Sequence, residues 1–141
     1  MKKIAIVCSA ICLFWACDSA EEIKRKQYIA EGFELYKLNC ANCHQADGTG
    51  LGKLYPPIKN SDYLLKNKAA VVASMRYGLA DSIVVNGRGY HHAMPANDKL
   101  TNMEIAEITT FLYNQWGNEK TITSIADAEK ILSIASQMPQ K

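Results

Sequence analysis

The chain alternates between stretches in which apolar side chains recur at helical spacing and stretches rich in glycine and proline. Residues 24–39 are the first helical stretch, and their apolar stripe consists of Tyr28, Gly32, Leu35 and Tyr36. That spacing predicts an amphipathic helix with one buried face. Because a glycine inside a helix costs about 1 kcal/mol relative to alanine, we expect Gly32 to serve the close approach of a second helix.

Three further helices are predicted downstream. The clearest one covers residues 101–116, since Thr101 and Glu104 have the spacing of a capping box and Gly117 marks an end. Its expected buried positions are Ile105, Ile108, Phe111 and Leu112. Shorter helices are predicted at about 68–77 and at 127–138. Strand patterns are nearly absent, so the predicted fold class is all-α.

The beginning of the chain differs from the rest. A basic start is followed by an apolar run of 12 residues, Ile4 to Trp15, which is too short to span a bilayer of ~30 Å. It has the length of the apolar region of a secretory signal. The run ends at Ala16-Cys17, which resembles the lipobox of bacterial lipoproteins, where the cysteine is acylated. We expect a signal peptide over 1–16, a short tether over 17–23 and a lipid on Cys17. A plain signal peptide and a retained anchor are the alternatives.

Removal of that signal changes the charge balance. The full chain has 16 Lys+Arg and 14 Asp+Glu, and the loss of Lys2 and Lys3 leaves fourteen of each. A formally neutral charge argues neither for nor against nucleic acid, but because we expect the protein to be exported, we expect no nucleic-acid partner. The chain has five cysteines. Those inside the signal leave with it and Cys17 carries the lipid, so only Cys40 and Cys43 remain in an oxidising compartment.

These two cysteines stand in the motif Cys-Ala-Asn-Cys-His, which ends at His44. A structural zinc site needs four ligands, but the chain has no second cysteine pair and its other histidines, His91 and His92, are adjacent. A thiol–disulfide oxidoreductase needs a strand-to-helix setting, whereas the flanks here are helical. The third possibility is c-type haem, with each cysteine bonded to a vinyl group and the histidine on the iron. Because covalent attachment happens outside the cytoplasm, the signal sequence favours haem.

The haem iron would need a sixth ligand or an open site. The side chains able to bind it are Met75, His91, His92, Met94, Met103 and Met138. Met94 precedes Pro95 in a stretch whose glycines and proline prevent a regular helix, as suits a ligand loop. Methionines within helical patterns more often fill the core, which applies to Met75 and Met103. We therefore expect Met94 on the iron, with His91 or His92 as the alternative.

Several motifs follow one another in a recognisable order. Gly32 and Tyr36 precede Cys40 at fixed spacing, and "GLGKLYPPIKNSDYL", "NG" at 86–87, "AMP" at 93–95 and "TNMEIAEITTFLYNQWGN" at 101–118 come after it. With these, the chain from about Tyr28 to Asn118 resembles the class I monohaem cytochromes c of bacterial type. The resemblance implies a cytochrome c domain over 24–118, whose N- and C-terminal helices cross around one covalent haem c with its iron. Residues 119–141 would be a helical extension, packed on that body or used for docking.

The resemblance also implies roles for residues around the ligands. The second ring nitrogen of His44 would donate to the backbone carbonyl of Pro56 or Pro57, which orients the ring. Arg88 would neutralise a haem propionate, with a solvated loop arginine as the alternative. Trp116 would lie in the interface between the two long helices.

Histidine and methionine ligation fills both axial positions and leaves no place for a substrate. We therefore expect one-electron transfer rather than catalysis. The expected partners are redox proteins: a membrane oxidase, reductase or dehydrogenase, or another cytochrome or a copper protein. The expected location is the periplasmic side of a bacterial inner or outer membrane. A gas sensor with a displaceable Met94 is the competing function, and a haem peroxidase is a third.

Overall fold

The computed structural model describes residues 19–137, so the predicted signal peptide, Cys17 and Met138 lie outside the described range. Its helices and strands are α1 Ala20–Asn39, α2 Ala41–His44, α3 Asp62–Lys66, α4 Lys68–Tyr77, β1 Ile83–Val85, β2 Arg88–Tyr90, α5 Asn102–Gln115 and α6 Ile125–Ser136. The predicted all-α class is confirmed, with one small antiparallel hairpin added to it. Within 19–137, no helix is both long enough and apolar enough to cross a membrane.

Helix α1 begins earlier than its apolar stripe indicates. Ser19 is its N-cap, and the side chain accepts a hydrogen bond from the backbone N–H of Glu22 at 3.2 Å. A serine in this position satisfies one of the amide groups that the first turn leaves unpaired. Residues 20–23, which we expected in a tether, are therefore the first turn of the helix.

Helix α5 is capped as predicted. The N–H of Glu104 donates to the Thr101 hydroxyl at 3.2 Å, and the N–H of Thr101 donates to the Glu104 carboxylate at 2.7 Å. The apolar positions expected in the core are buried. Met103 is the exception, because its side chain is 48% exposed. The expectation that Met103 fills the core is therefore wrong: it lies on the helix, but on the outward face.

Helices α1 and α5 cross where Gly32 meets the backbone of α5. Beside the crossing, the rings of Tyr36, Phe111 and Trp116 form an aromatic cluster with centroids 5.2–5.5 Å apart. Edge-on aromatic pairs at such distances add to the gain from burial alone. Trp116 is thus part of the helix interface, as expected.

The extension folds back onto the body of the protein. Helix α6 packs against α4 and α5, and it buries Ala128 and Leu132 in the common core. It begins at Ile125 because Ser124 and Asp127 form a second capping box, which the predicted start at 127 missed. The chain before it is held by the N–H of Thr123, which donates to the Thr110 hydroxyl at 2.9 Å.

The hairpin was not predicted. Asn86 and Gly87 link its strands and both have positive φ angles, 52° and 76°, as the tight hairpin turn with two left-handed residues requires. Each strand is only three residues long, which is too short for an alternating pattern to stand out. The hairpin contributes two buried residues, Val85 and Tyr90.

Candidate cofactor site

A cavity of about 290 Å³ opens between α2, α4, α5 and the hairpin. Its walls are mostly apolar, with contributions from Leu64, Val71, Met75, Val85, Leu100 and Leu112. Cys40, Cys43, His44 and Met94 line the same cavity. The fold therefore brings the cysteine pair and the histidine together with three of the six distal ligands that the sequence offers, Met75, His92 and Met94, although all three are remote from them along the chain.

The Cys-Ala-Asn-Cys-His motif forms a single helical turn. Cys40 ends α1 by donating its N–H to the Tyr36 carbonyl at 2.8 Å, and its own carbonyl accepts from the N–H groups of Cys43 and His44 at 3.1 and 2.9 Å. Burial raises the pKa of the Cys40 thiol to about 12, with a smaller contribution from nearby Cys43. A redox-active dithiol needs the opposite, a thiol whose pKa is lowered. Such an enzyme also needs its motif between a strand and a helix, whereas this motif lies at the junction of α1 and α2, so the site does not fit a thiol–disulfide oxidoreductase.

His44 is oriented by the backbone. Its Nδ1 lies 2.9 Å from the carbonyl oxygen of Pro56, and because a carbonyl only accepts, Nδ1 carries the proton. Nε2 then keeps the lone pair that a metal requires. Burial lowers the pKa of His44, although the bond to Pro56 acts in the other direction. The imidazole is therefore held neutral, in the form that binds iron. Of the two carbonyls expected to orient it, only that of Pro56 makes this contact; Pro57 lines the cavity.

The Pro56 carbonyl is placed by a tightly folded loop. The N–H of Gly50 donates to the His44 carbonyl at 2.9 Å, and the N–H of Leu51 donates to the Tyr55 carbonyl at 3.0 Å. Gly50 has a φ of +71°, and a β-carbon there would lie 2.7 Å from the Pro56 oxygen. Only glycine both adopts this φ without strain and leaves room for that carbonyl.

Met94 is held against the end of α4. Its backbone N–H donates to the Leu79 carbonyl at 2.9 Å, and its carbonyl accepts from the Leu79 N–H at 2.8 Å. Gly78 ends α4 with a φ of +74°, and a β-carbon on it would lie 2.6 Å from the Met94 carbonyl oxygen. The sequence predicted a helix over 68–77, but not that the Met94 loop crosses at the glycine that follows it.

Other predicted residues lie elsewhere. Arg88 is exposed on β2 and does not line the cavity, so its contact with a propionate stays a prediction. His91 is also exposed, and its Nδ1 is 2.7 Å from the Ser82 hydroxyl. His92 does line the cavity, with its ring 5.8 Å from that of Tyr55. Of the two histidines considered as distal ligands, only His92 is near the site.

One contact at the cavity has no pattern in the sequence that could have predicted it. The Asn97 side-chain amide donates to the side-chain oxygen of Asn39 at 3.0 Å, and both residues line the cavity. Asn39 immediately precedes the cysteine motif and Asn97 follows Met94 by three residues. This hydrogen bond therefore joins the two segments that carry the predicted metal ligands.

The donor set distinguishes between a haem and a zinc ion. In the described part of the chain, no three or more His, Cys, Asp and Glu side chains are grouped so that they could hold a metal ion, and a structural zinc ion needs four ligands. Two cysteines, a neutral imidazole and a methionine thioether around an apolar cavity fit haem c. The residues present are thus consistent with covalent haem.

Comparisons with known proteins agree with this geometry. The sequence model of the family "Cytochrome c" matches residues 29–116, which is more than half of the chain. The chain is similar to cytochrome c-552 of Thermus thermophilus, with 30% identity over 97 residues that cover 66% of this chain and 73% of that protein.

Two longer proteins match as well. The alcohol dehydrogenase (quinone) cytochrome c subunit of Gluconobacter oxydans (strain 621H) is 29% identical over 71% of this chain and 21% of its own length. The fructose dehydrogenase cytochrome subunit of Gluconobacter japonicus is 29% identical over 77% of this chain and 23% of its own length. The chain thus spans about a fifth of these subunits. Since the family model covers both the cysteine motif and Met94, the chain belongs to the cytochrome c family, whose members carry haem c, with its iron, bound covalently.

Proposed function

We propose that this protein transfers single electrons through one haem c held by Cys40, Cys43, His44 and Met94. The observation that carries the proposal is that one apolar cavity is lined by all four side chains, with His44 fixed by the Pro56 carbonyl. Cys40 and Cys43 would form the two thioethers, His44 would be the proximal ligand and Met94 the distal ligand. When bound, the haem supplies a one-electron couple between Fe(II) and Fe(III).

The chain's own residues determine how that couple behaves. The soft sulfur of Met94 favours Fe(II) and raises the reduction potential. The neutral His44 binds through Nε2, and its hydrogen bond to Pro56 keeps the ring in one orientation and raises its basicity. Apolar side chains around the cavity keep water away from the metal. With His44 and Met94 both bound to it, the iron would have no position left for a substrate.

The redox partners belong to the proposal as well. Two of the relatives are the cytochrome c subunit of alcohol dehydrogenase (quinone) and the cytochrome subunit of fructose dehydrogenase. We infer a redox protein partner of the same kind, a membrane dehydrogenase, oxidase or reductase, or a small cytochrome or copper protein that exchanges electrons with one.

Membrane attachment through Cys17 completes the proposed function. The basic start, the short apolar run and the Ala16-Cys17 junction support export and lipidation of Cys17 on the periplasmic side of a bacterial membrane. A single acyl chain would bind only marginally, whereas the lipobox resemblance implies a diacylglycerol and an N-acyl group together. Because α1 begins at Ala20, such an anchor would hold its first turn close to the bilayer.

Haem staining after denaturing electrophoresis tests the covalent attachment. The wild-type protein should stain, and the double variant Cys40→Ala, Cys43→Ala should not, because both thioethers are lost. Staining of the double variant would show that the cofactor is not attached through these cysteines.

Absorption spectra of the reduced protein, with and without carbon monoxide, test whether protein ligands occupy both coordination positions of the iron. No change is expected with carbon monoxide, and a large change would favour a ligand sensor.

Metabolic labelling with a fatty-acid analogue tests the anchor. The wild-type protein should be labelled and should sediment with membranes, while Cys17→Ser should be unlabelled and released or left unprocessed. Label that persists in Cys17→Ser would contradict lipidation at this residue, and it would leave the haem assignment untouched.

A further inference from the structure

We propose that the C-terminal extension, residues 119–136, is a positioning element that holds Met94 in place through the end of α4. The inference rests on the proposed function, because it takes Met94 as the distal ligand. It assigns a role to a segment that lies beyond the residues matched by the family model, which end at 116.

The Met94 segment makes its backbone hydrogen bonds to the end of α4 and to the residue that follows Gly78, while the side chain of Asn97 adds a bond to Asn39 of α1. Ala93, Pro95 and Ala96 are exposed, and Met94 itself is half-buried. The backbone of the segment is attached by the paired hydrogen bonds between Met94 and Leu79 and by the Asn97 N–H, which donates to the Met75 carbonyl at 3.2 Å. Met75 lies in the last turn of α4, and Leu79 follows its terminal glycine. A displacement of this helix end would therefore displace the Met94 backbone.

The same helix end is bonded to the extension. The Tyr77 hydroxyl donates to the Leu132 carbonyl of α6 at 3.1 Å. Tyr77 directly precedes Gly78, whose missing side chain allows the Met94 carbonyl to pass close by. The path from the extension to the ligand segment therefore runs through three consecutive residues, 77–79.

Two other connections run in parallel. An Arg76 guanidinium N–H donates to the Asn102 side-chain oxygen at 2.9 Å, and the Asn102 amide donates to Glu129 of α6 at 3.2 Å. At the opposite end of α4, the Lys68 ammonium is 2.6 Å from the carboxylate of Glu119. The extension therefore holds α4 at both ends, while Ala128 and Leu132 pack in the core that α4 shares.

The physical consequence concerns the strength of the bond between Met94 and the metal. An exposed loop opens locally with a low free energy unless contacts stabilise its closed form. An external ligand that competes for the sixth position binds only when the loop is open, so its apparent affinity reports the open fraction. Contacts that keep α4 in place lower that fraction. Loss of the Tyr77 hydrogen bond should raise it about 2- to 10-fold, the range that one net hydrogen bond represents.

Imidazole binding to the oxidised full-length holoprotein measures the open fraction. Tyr77→Phe removes only the hydroxyl, and Leu132→Ala loosens α6 in the core. Each should increase imidazole affinity, and the double variant should gain less than the sum of the two effects, because both act on one connection. Ile108→Val is the matched control: it lowers stability by removing a buried methylene from α5, and its apolar side chain takes no part in the hydrogen bonds between α4 and the extension. Ile108→Val should bind imidazole only as tightly as the wild type does. Chemical denaturation should show that it has nevertheless lost an amount of stability comparable to the loss in the test variants.

The outcomes separate this inference from the proposed function. The weak sulfur-to-iron absorption band of the oxidised wild type should disappear in Met94→His, which establishes Met94 as the ligand. If the band disappears in Met94→His, but Tyr77→Phe and Leu132→Ala bind imidazole no more tightly than Ile108→Val does, the extension has no positioning role. If the band survives in Met94→His, the ligand assignment and this inference both fail. Tighter imidazole binding in the two variants, with an unchanged control, supports the positioning role.

Discussion

Gly32 of α1 lies directly against the backbone carbonyl of Glu107 of α5. A β-carbon on Gly32 would overlap that carbonyl oxygen and would lie 2.8 Å from the Phe111 β-carbon. The two longest helices of the described chain therefore touch through their backbones at this point. The same two helices border the cofactor site, since the cysteine motif begins where α1 ends and Leu112 of α5 lines the cavity.

Gly32→Ala should destabilise the protein. Alanine normally gains about 1 kcal/mol over glycine inside a helix, but here the added methyl group meets backbone that cannot move aside. Overpacking of this kind costs about 1–3 kcal/mol, so the variant should be less stable despite its better helix propensity. Chemical denaturation of the holoprotein measures the difference. Leu38→Ala is the control on the same helix, since its side chain is 81% exposed. Equal or higher stability of Gly32→Ala would contradict the close crossing.

Gly50→Ala should alter the electronic properties of the iron through His44. The new methyl group would lie 2.7 Å from the Pro56 oxygen and should push this carbonyl away from Nδ1. A weaker hydrogen bond makes the imidazole less basic, which disfavours Fe(III). The reduction potential should rise by about 20–60 mV, the one-electron equivalent of about 0.5–1.5 kcal/mol. Potentiometric titration measures the change.

Gly52→Ala is the matched control for this variant. Gly52 lies in the same loop and also has a positive φ, +58°, but a β-carbon there meets nothing within 4 Å. Both substitutions therefore introduce backbone strain, and only Gly50→Ala touches the Pro56 carbonyl. Equal potentials in the two variants would show that the contact between His44 and Pro56 has no influence on the metal.

Met94→His should preserve a six-coordinate haem and lower its potential. Imidazole replaces the thioether, and the preference of the thioether for Fe(II) is lost. The decrease should be on the order of 100 mV, within the ~0.8 V range over which axial ligands set haem potentials. The sulfur-to-iron band near the red end of the oxidised spectrum should disappear.

Three variants serve as controls for the ligand assignment. Met103→Leu changes an exposed position of α5 and should alter neither the spectrum nor the potential. His91→Ala and His92→Ala should leave the same band in place. A spectral change in one of the histidine variants, combined with an unchanged spectrum in Met94→His, would mean that two histidines bind the iron and that the potential is low.

Glu104 and Glu107 should shape the pH dependence of stability with opposite signs. Hydrogen bonds from the Thr101 N–H and from its hydroxyl hold the pKa of Glu104 below the ordinary 4.5. This carboxylate therefore contributes stability above pH ~4.5 that is lost as the pH falls through its lowered pKa. Burial, followed by repulsion from Glu31 and Glu104, raises the pKa of Glu107. Ionisation of Glu107 therefore lowers the stability of the folded protein as the pH rises from the ordinary pKa of 4.5 through the raised one.

Glutamine variants at the two positions test these signs on a single helix. Glu104→Gln should be less stable than wild type at pH 7, with the difference shrinking toward pH 3. Glu107→Gln should be more stable than wild type at pH 7, with the difference again shrinking toward pH 3. Free energies of unfolding across this range measure both. Differences of the same sign would contradict the opposite environments of the two carboxylates.

Much of the fold could be predicted from local patterns. The range 68–77 for α4 matches the structure, and the capping box at Thr101 sets the start of α5 as expected. These features depend on neighbouring residues alone, because helix periodicity and capping act over one or two turns. The start of α1 was placed four residues late, since its first turn is polar and has no apolar stripe. Local rules also missed the hairpin, whose strands are very short.

The chemistry proposed for this protein can be inferred from the sequence alone. Cys40, Cys43 and His44 are contiguous, so their joint use follows from the motif, and the proline after Met94 already marks an irregular loop. Tertiary structure decided which distant residues meet. In the folded protein, the carbonyl of Pro56 and not that of Pro57 contacts His44. The side chains of Arg88 and Met103 are exposed, and the Met94 carbonyl lies close to Gly78. Such contacts join segments whose relative position depends on the packing of the whole core, and no local pattern of residues encodes them.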